Sequence, residues 1–244
     1  MTRLSLHEVM ALNERFKGAR AEQVLAYATE TFGERLTFAC SLGLEDVVIF
    51  DLLSRGPKPP RIFFLDTGRL HQETYDTLAA LRTRYGLAVE TYFPRLEAVE
   101  DYVNTHGPNA FYESLDLRKT CCAIRKLEPL ARALTGADAW ITGLRSDQAT
   151  TRTGLERFEL DNAHGGILKI NPLADWSLAQ TWAHVREHGV PYNQLHDQGF
   201  PSIGCAPCTR AIAPGEDTRA GRWWWEAPEH KECGLHVKTA QEIR

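Results

Sequence analysis

The residues best suited to chemistry in this chain are its cysteines. Cys121 and Cys122 are adjacent, Cys205-Ala206-Pro207-Cys208 forms a close pair, Cys233 lies near the C-terminus, and Cys40 stands alone. Four thiolates from two separated segments suffice to ligate zinc or a cubane iron–sulfur cluster. The adjacent pair favours the cluster. On a helix, neighbouring side chains point about 100° apart, which is awkward for one zinc ion but suits thiolates bound to separate irons. Three disulfides would be another use for six cysteines, but clustered thiols in a reducing compartment read better as metal or redox chemistry. Cys233 has Lys231 and His236 on either side and His230 close by. Positive neighbours lower a thiol's pKa and make it a nucleophile; an incidental tail thiol is the alternative. Cys40 ends an apolar run and is expected to be buried and structural.

Cations accompany the cysteines. In Ala123-Ile124-Arg125-Lys126 a helical path puts Lys126 on the face of Cys122, beside the metal set and facing any anion held there. Arg145 and Arg152 follow an expected strand end at Gly143, and Lys169, Arg219 and Arg222 add further positive charge. Such residues can grip a sulfate or a phosphate, although each alone reads equally as solvated surface charge. Cys40-Ser41-Leu42-Gly43-Leu44-Glu45-Asp46 joins a strand to a helix. Its backbone N–H groups, at the positive end of the helix dipole, can cradle an anion. An ordinary strand-to-helix turn is the other reading, and the Gly-Lys-Ser/Thr ending of a nucleoside-triphosphate loop is absent.

These segments need a scaffold. Ser5-x-x-Glu8 is a capping box opening a helix that Gly18 can close, and a second helix is expected over Ala21–Thr31. Strands are expected at 36–40, 61–65, 88–92 and 139–143, with helices at 45–53 and 71–85 and a hairpin over 155–170 turning at His164-Gly165-Gly166. That alternation predicts an α/β fold: a mostly parallel sheet with helices on both faces, and ligands beyond the C-terminal strand ends. Residues 1–200 would form this domain, including the Cys121-Cys122 segment. Residues 201–244, rich in Gly, Pro, Cys, Arg and Trp, would form an irregular tail carrying metal ligands and the reactive cysteine. A net charge of −4 argues against general nucleic-acid binding. No apolar run approaches the roughly 20 residues of a membrane helix, and the N-terminus lacks a signal peptide's apolar core, so a cytoplasmic protein is expected.

Taken in order, Leu65-Asp66-Thr67-Gly68, Thr120-Cys121-Cys122-Ala123-Ile124-Arg125-Lys126, Ile141-Thr142-Gly143-Leu144-Arg145, Gly204-Cys205-Ala206-Pro207-Cys208-Thr209, Gly221-Arg222-Trp223-Trp224-Trp225 and Glu232-Cys233-Gly234-Leu235-His236 resemble the phosphoadenylyl-sulfate and adenylyl-sulfate reductase family. The resemblance runs from about Phe38 to His236. It implies an adenine-nucleotide α-hydrolase-like fold related to the PP-loop enzymes. It also implies attack of the Cys233 thiolate on the sulfate sulfur, release of AMP, and discharge of the S-sulfocysteine as sulfite by thioredoxin or glutaredoxin, in sulfate assimilation. The two cysteine pairs are similar to those of the branch that holds a [4Fe-4S] cluster on Cys121, Cys122, Cys205 and Cys208 and uses adenylyl sulfate. Ser41, Gly43, Leu65, Thr67 and Gly143 are then expected at the nucleotide, with Lys126, Arg145, Arg219, Arg222 and His236 at its anionic groups and Arg152 and Lys169 as further phosphate contacts. A reductase for the 3′-phosphorylated nucleotide, or one using both, is the nearest alternative. A metal-bearing PP-loop enzyme acting on RNA would show a Ser-Gly-Gly-type loop and a more basic surface. A redox sensor would not need the Asp66 turn, the Arg145 loop and the Cys233 tail together. Association into a homo-oligomer is left open.

Overall fold

The computed structural model describes residues 3–56, 58–148 and 154–227. Its elements run α1 (Leu6–Arg15), α2 (Ala21–Phe32), β1 (Leu36–Ala39), α3 (Leu44–Ser54), β2 (Arg61–Leu65), α4 (Gln72–Tyr85), β3 (Glu90–Tyr92), α5 (Leu96–His106), α6 (Leu115–Cys122), a π-helical turn (Ala123–Leu127), α7 (Glu128–Ala133), β4 (Ala139–Ile141), β5 (Phe158–Asp161), β6 (Ile167–Ile170) and α8 (Leu178–His188). The expected capping box starts α1: the Glu8 carboxylate accepts from the Ser5 N–H at 2.7 Å, and Ser5 Oγ accepts from the Glu8 N–H at 3.3 Å. Ser177 and Gln180 open α8 in the same way.

The six strands form one sheet in the order β3-β2-β1-β4-β6-β5. β1 runs parallel to β2 and β4, β4 runs parallel to β6, and β5 pairs antiparallel with β6. The expected hairpin is therefore present, and its turn uses Gly165 and Gly166 at φ 78° and 73°, a region that side chains other than glycine rarely enter. Consecutive residues Leu36-Thr37-Phe38 and Ala139-Trp140-Ile141 are all buried. Since neighbours on a strand face opposite ways, both faces of the central sheet are covered. Cys40 is buried at the end of β1, as its apolar setting implied.

The chain divides into two compact units. One comprises the described residues of Met1–Phe64, Glu73–Glu90 and Gly136–Asn193; the other those of Leu65–Gln72, Thr91–Thr135 and Gln194–Arg244. The first holds most of the sheet. The second is built from helices and irregular segments, and it gathers residues far apart in sequence: the Asp66 turn, the Cys121-Cys122 helix and the Cys205 loop. Among the described residues no helix is long and apolar enough to cross a membrane.

Candidate active site: a cysteine cavity and a strand-end loop

In the second unit, Cys121, Cys122, Cys205 and Cys208 line one cavity together with Arg69, Phe111, Arg118, Arg125, Lys126, Pro207 and Trp223. The first two cysteines end α6, where the backbone passes into the π-helical turn. A π turn inserts one residue into the helical register, and such insertions gather at functional sites. Lys126 therefore reaches the cavity by a wider turn than the regular helical path expected for it. The second pair sits on a short 3-10 turn, Ala206–Cys208, whose Ala206 N–H donates to the Arg69 carbonyl at 2.8 Å. Tyr112 braces it by donating its hydroxyl to the Pro207 carbonyl at 2.6 Å.

The thiols differ electrostatically. Burial, reinforced by the charge of Cys205, pushes Cys208 up to about 12. Cys121 is also raised by burial, although Arg125 partly offsets it. Burial acts on Cys205 as well, yet Lys126, a contact with Thr67, Arg222 and Arg125 together bring it below the usual thiol value. The Thr67 hydroxyl lies 3.2 Å from Cys205 Sγ, and the Thr67 carbonyl accepts from Arg125 at 2.7 Å. Thus Thr67, expected at the adenosine, stands here against a cysteine.

The donor set suits a polynuclear cluster. The four thiols line one cavity, although among the described residues no three His, Cys, Asp or Glu side chains are grouped closely enough to hold a metal ion. Thiolate ligands distributed around a volume, beneath cations, are what an anionic cluster with separate irons needs.

Three further residues organise this cavity, and reading the sequence alone missed their roles. Arg118 is buried and makes a two-pronged ion pair with Glu226 at 2.8 and 2.6 Å. Its guanidinium lies 4.7 Å from the Trp223 ring centroid, and Arg222 sits at the same distance. Trp223 itself is buried with φ 39°. Arg222, expected to face an anion, is buried close over the Gly204 backbone, where any side chain would collide with it. It donates to Ser202 Oγ and the Ile203 carbonyl, both at 3.3 Å. Arg219 stands three residues earlier and is half-buried, its backbone N–H donating to Asp217. Only the Arg-Trp-Trp-Trp run hinted at such stacking.

In the first unit, Ser41, Gly43, Gly143 and Arg145 come together at the C-terminal ends of β1 and β4. Gly43 caps α3. Ser41 donates its N–H and its hydroxyl to Asp46, at 2.5 and 2.6 Å. Gly143 packs so closely on Asp46 and Glu45 that a Cβ would overlap the Asp46 carboxyl. Arg145 Nε donates to Glu45 at 2.8 Å, with both side chains largely buried. The acidic pair of α3, which reads in sequence as favourable charge in a first helical turn, is what satisfies this loop. Lys169 lies within β6, 3.8 Å from Glu159 and over the Trp140 ring. Leu65 ends β2. Arg152, Cys233 and His236 fall outside the described residues.

Residues 35–211 match the family model for the phosphoadenosine phosphosulfate reductase domain. The adenosine 5′-phosphosulfate reductase of Allochromatium vinosum is 56% identical over 83% of this chain and 79% of its own length. That of Burkholderia cepacia is 52% identical, covering 93% and 90%. The crystal structure of a phosphoadenylyl-sulfate reductase from Candida auris, 32% identical, superposes with a TM-score of 0.74 over 86% of this chain and 98% of that one. Yeast FAD synthetase, 14% identical over 86% and 70%, shares the fold at a TM-score of 0.55. With its family model spanning most of the chain and relatives at about half identity, the protein belongs to the phosphoadenosine phosphosulfate reductase family.

Proposed function

We propose that this protein reduces adenylyl sulfate to sulfite and AMP in the cytoplasm, as a step of sulfate assimilation, and carries a [4Fe-4S] cluster. The observation that carries the reading is the convergence of Cys121, Cys122, Cys205 and Cys208 with Lys126 on one cavity. The names of relatives at 48–56% identity favour adenylyl sulfate over its 3′-phosphorylated form.

The Cys233 thiolate attacks the sulfate sulfur. An S–S bond forms, the S–O bond to the phosphate breaks, and AMP leaves with the electron pair. Negative charge grows on the leaving phosphate, so positioned cations lower the barrier. Lys126 is the candidate at the cysteine cavity, Arg145 at the strand-end loop, and Arg219, Arg222 and His236 in the C-terminal segment; Arg152 and Lys169 are further candidates. Ser41, Gly43, Leu65, Thr67 and Gly143 remain candidates for contacts with the nucleoside. A dithiol then attacks Cys233 Sγ of the S-sulfocysteine. Sulfite departs as the mixed disulfide forms, because the bond from Cys233 Sγ to the SO₃ group breaks. The second thiol then resolves the disulfide, freeing the Cys233 thiolate and leaving the dithiol oxidised by two electrons, and thioredoxin or glutaredoxin supplies that dithiol. Thiol exchange accounts for both electrons. The four cysteine thiolates would hold the cluster, which supplies fixed charge beside Lys126 when bound.

Two half-reactions test this. Anaerobically purified protein given adenylyl sulfate without reductant should release AMP in one burst and carry one SO₃ group on the Cys233 peptide; reduced thioredoxin should then free sulfite. Cys233→Ser should keep its iron and bind substrate yet show no burst. Label on Cys40, or normal sulfite production by that variant, would refute the mechanism.

A further inference from the structure

The donors that an anion would seek at the end of β1 are already occupied. Asp46 Oδ2 takes both the N–H and the hydroxyl of Ser41. Asp46 stands in the first turn of α3 and is 5% exposed. The loop after β4 closes on its other oxygen through Gly143, and Leu42, at φ 64°, completes a tight curve between Ser41 and the helix.

The surrounding charges do not relieve this carboxyl. Glu45, its neighbour on α3, adds negative charge, and the Cys40 thiol at the end of β1 is itself raised by burial and by Asp46. From the β4 loop comes Arg145, but its Nε is bonded to Glu45 and its Nη1 lies 3.8 Å from Asp147. Burial pushes Asp46 up to about 7, against the two Ser41 bonds and with help from Glu45. The loop therefore carries its own anion, poised where a small change in surroundings decides its charge.

We infer that Asp46 is the positioning residue of this loop, and that an anionic sulfonucleotide seats on Ser41 only with uptake of one proton by the Asp46 carboxylate. The inference rests on the reading of Ser41 and Gly43 as nucleotide contacts. Without ligand, Asp46 holds Ser41 and shapes the turn. A second anion arriving in this buried place meets repulsion that little solvent screens. A proton from water removes it. The neutral carboxyl still accepts from the Ser41 hydroxyl, while the Ser41 N–H becomes available to the nucleotide.

Adenylyl sulfate is a suitable probe because neither its phosphate nor its sulfate titrates near neutrality. Its binding to the cluster-loaded full chain carrying Cys233→Ser, which cannot turn over, is measured by calorimetry from pH 5.5 to 8.5 in buffers of different ionisation enthalpy. The expected result is uptake approaching one proton per ligand above pH 7, with Kd rising towards about tenfold per pH unit. Adding Asp46→Asn should abolish the uptake, flatten the profile and leave the affinity at pH 8 close to that of the parent at pH 6. Binding by the parent with no proton uptake, or an unchanged slope in the Asn variant, overturns the inference and leaves the proposed function standing. No binding of adenylyl sulfate at any pH overturns both. The proton count is taken on the parent, so it does not depend on the Asn variant folding.

Discussion

The strand-end loop of the first unit and the cysteine cavity of the second solve opposite problems. In the loop, every strong group has an internal partner: Ser41 with Asp46, and Arg145 with Glu45. The loop is complete without a ligand, so a ligand must exchange for something. In the cavity, four buried or half-buried thiols share the lining with Arg69, Arg118, Arg125 and Lys126, and burial raises Cys121 and Cys208. Buried thiols under surplus positive charge gain stability when deprotonated and bound to metal. The contrast separates a region built to be self-consistent from one that, under the function proposed above, is built around a guest.

Replacing Cys205 by Ser should break this contrast most severely. Iron near four per chain should fall to background and turnover should vanish, while the first unit keeps its fold. Metal analysis and circular dichroism check it, and full iron retention would remove Cys205 from the ligand set. Glu226→Ala comes next. It strands the buried Arg118 guanidinium and should destabilise the protein by about 3–5 kcal/mol, whereas Arg118→Met with Glu226→Leu should recover most of that loss. Denaturant titration of the three variants separates a stranded charge from a lost contact. Gly143→Ala should cost about 1–3 kcal/mol, because the added methyl meets the Asp46 carboxyl in a closely packed site. A midpoint unchanged from the parent would show the loop is less tightly built than described.

Per unit of pH, the smallest effect is the pH dependence of the loop. Asp46 has a folded pKa of about 7, above an unfolded value of about 3.9, so the native state holds its proton more tightly. Its contribution to stability is present below pH ~4 and is lost as pH rises to ~7, by at most about 1.4 kcal/mol per unit. Melting curves should show Asp46→Asn gaining on the parent across that window, and parallel profiles would assign Asp46 an ordinary carboxylate.

The regular parts of this molecule could be read in its sequence because they rest on local rules. Ser5 and Glu8 announce a helix start by spacing alone, and the apolar runs of β1, β2 and β4 declare a sheet buried on both faces. The cysteine set could be read for the same reason, since residue type limits its chemistry. Other features lie between distant segments. The π-helical turn at Ala123–Leu127 leaves no mark in hydrophobic spacing. The contact of Thr67 with Cys205 joins positions 138 residues apart. Asp46 was hidden differently: an acidic residue in a first helical turn has an ordinary explanation in the helix dipole, and only its bonds from Ser41 and the proximity of Gly143 show what else it touches.

The Arg118–Glu226 pair has a consequence in polymer terms. Glu226 is anchored by two hydrogen bonds to a guanidinium buried beside the cysteine cavity, and Cys233 follows seven residues later. Seven residues fully extended span at most about 25 Å. That contour length bounds how far Cys233, the nucleophile proposed above, can lie from Glu226, which is bonded to the helix that carries Cys121 and Cys122.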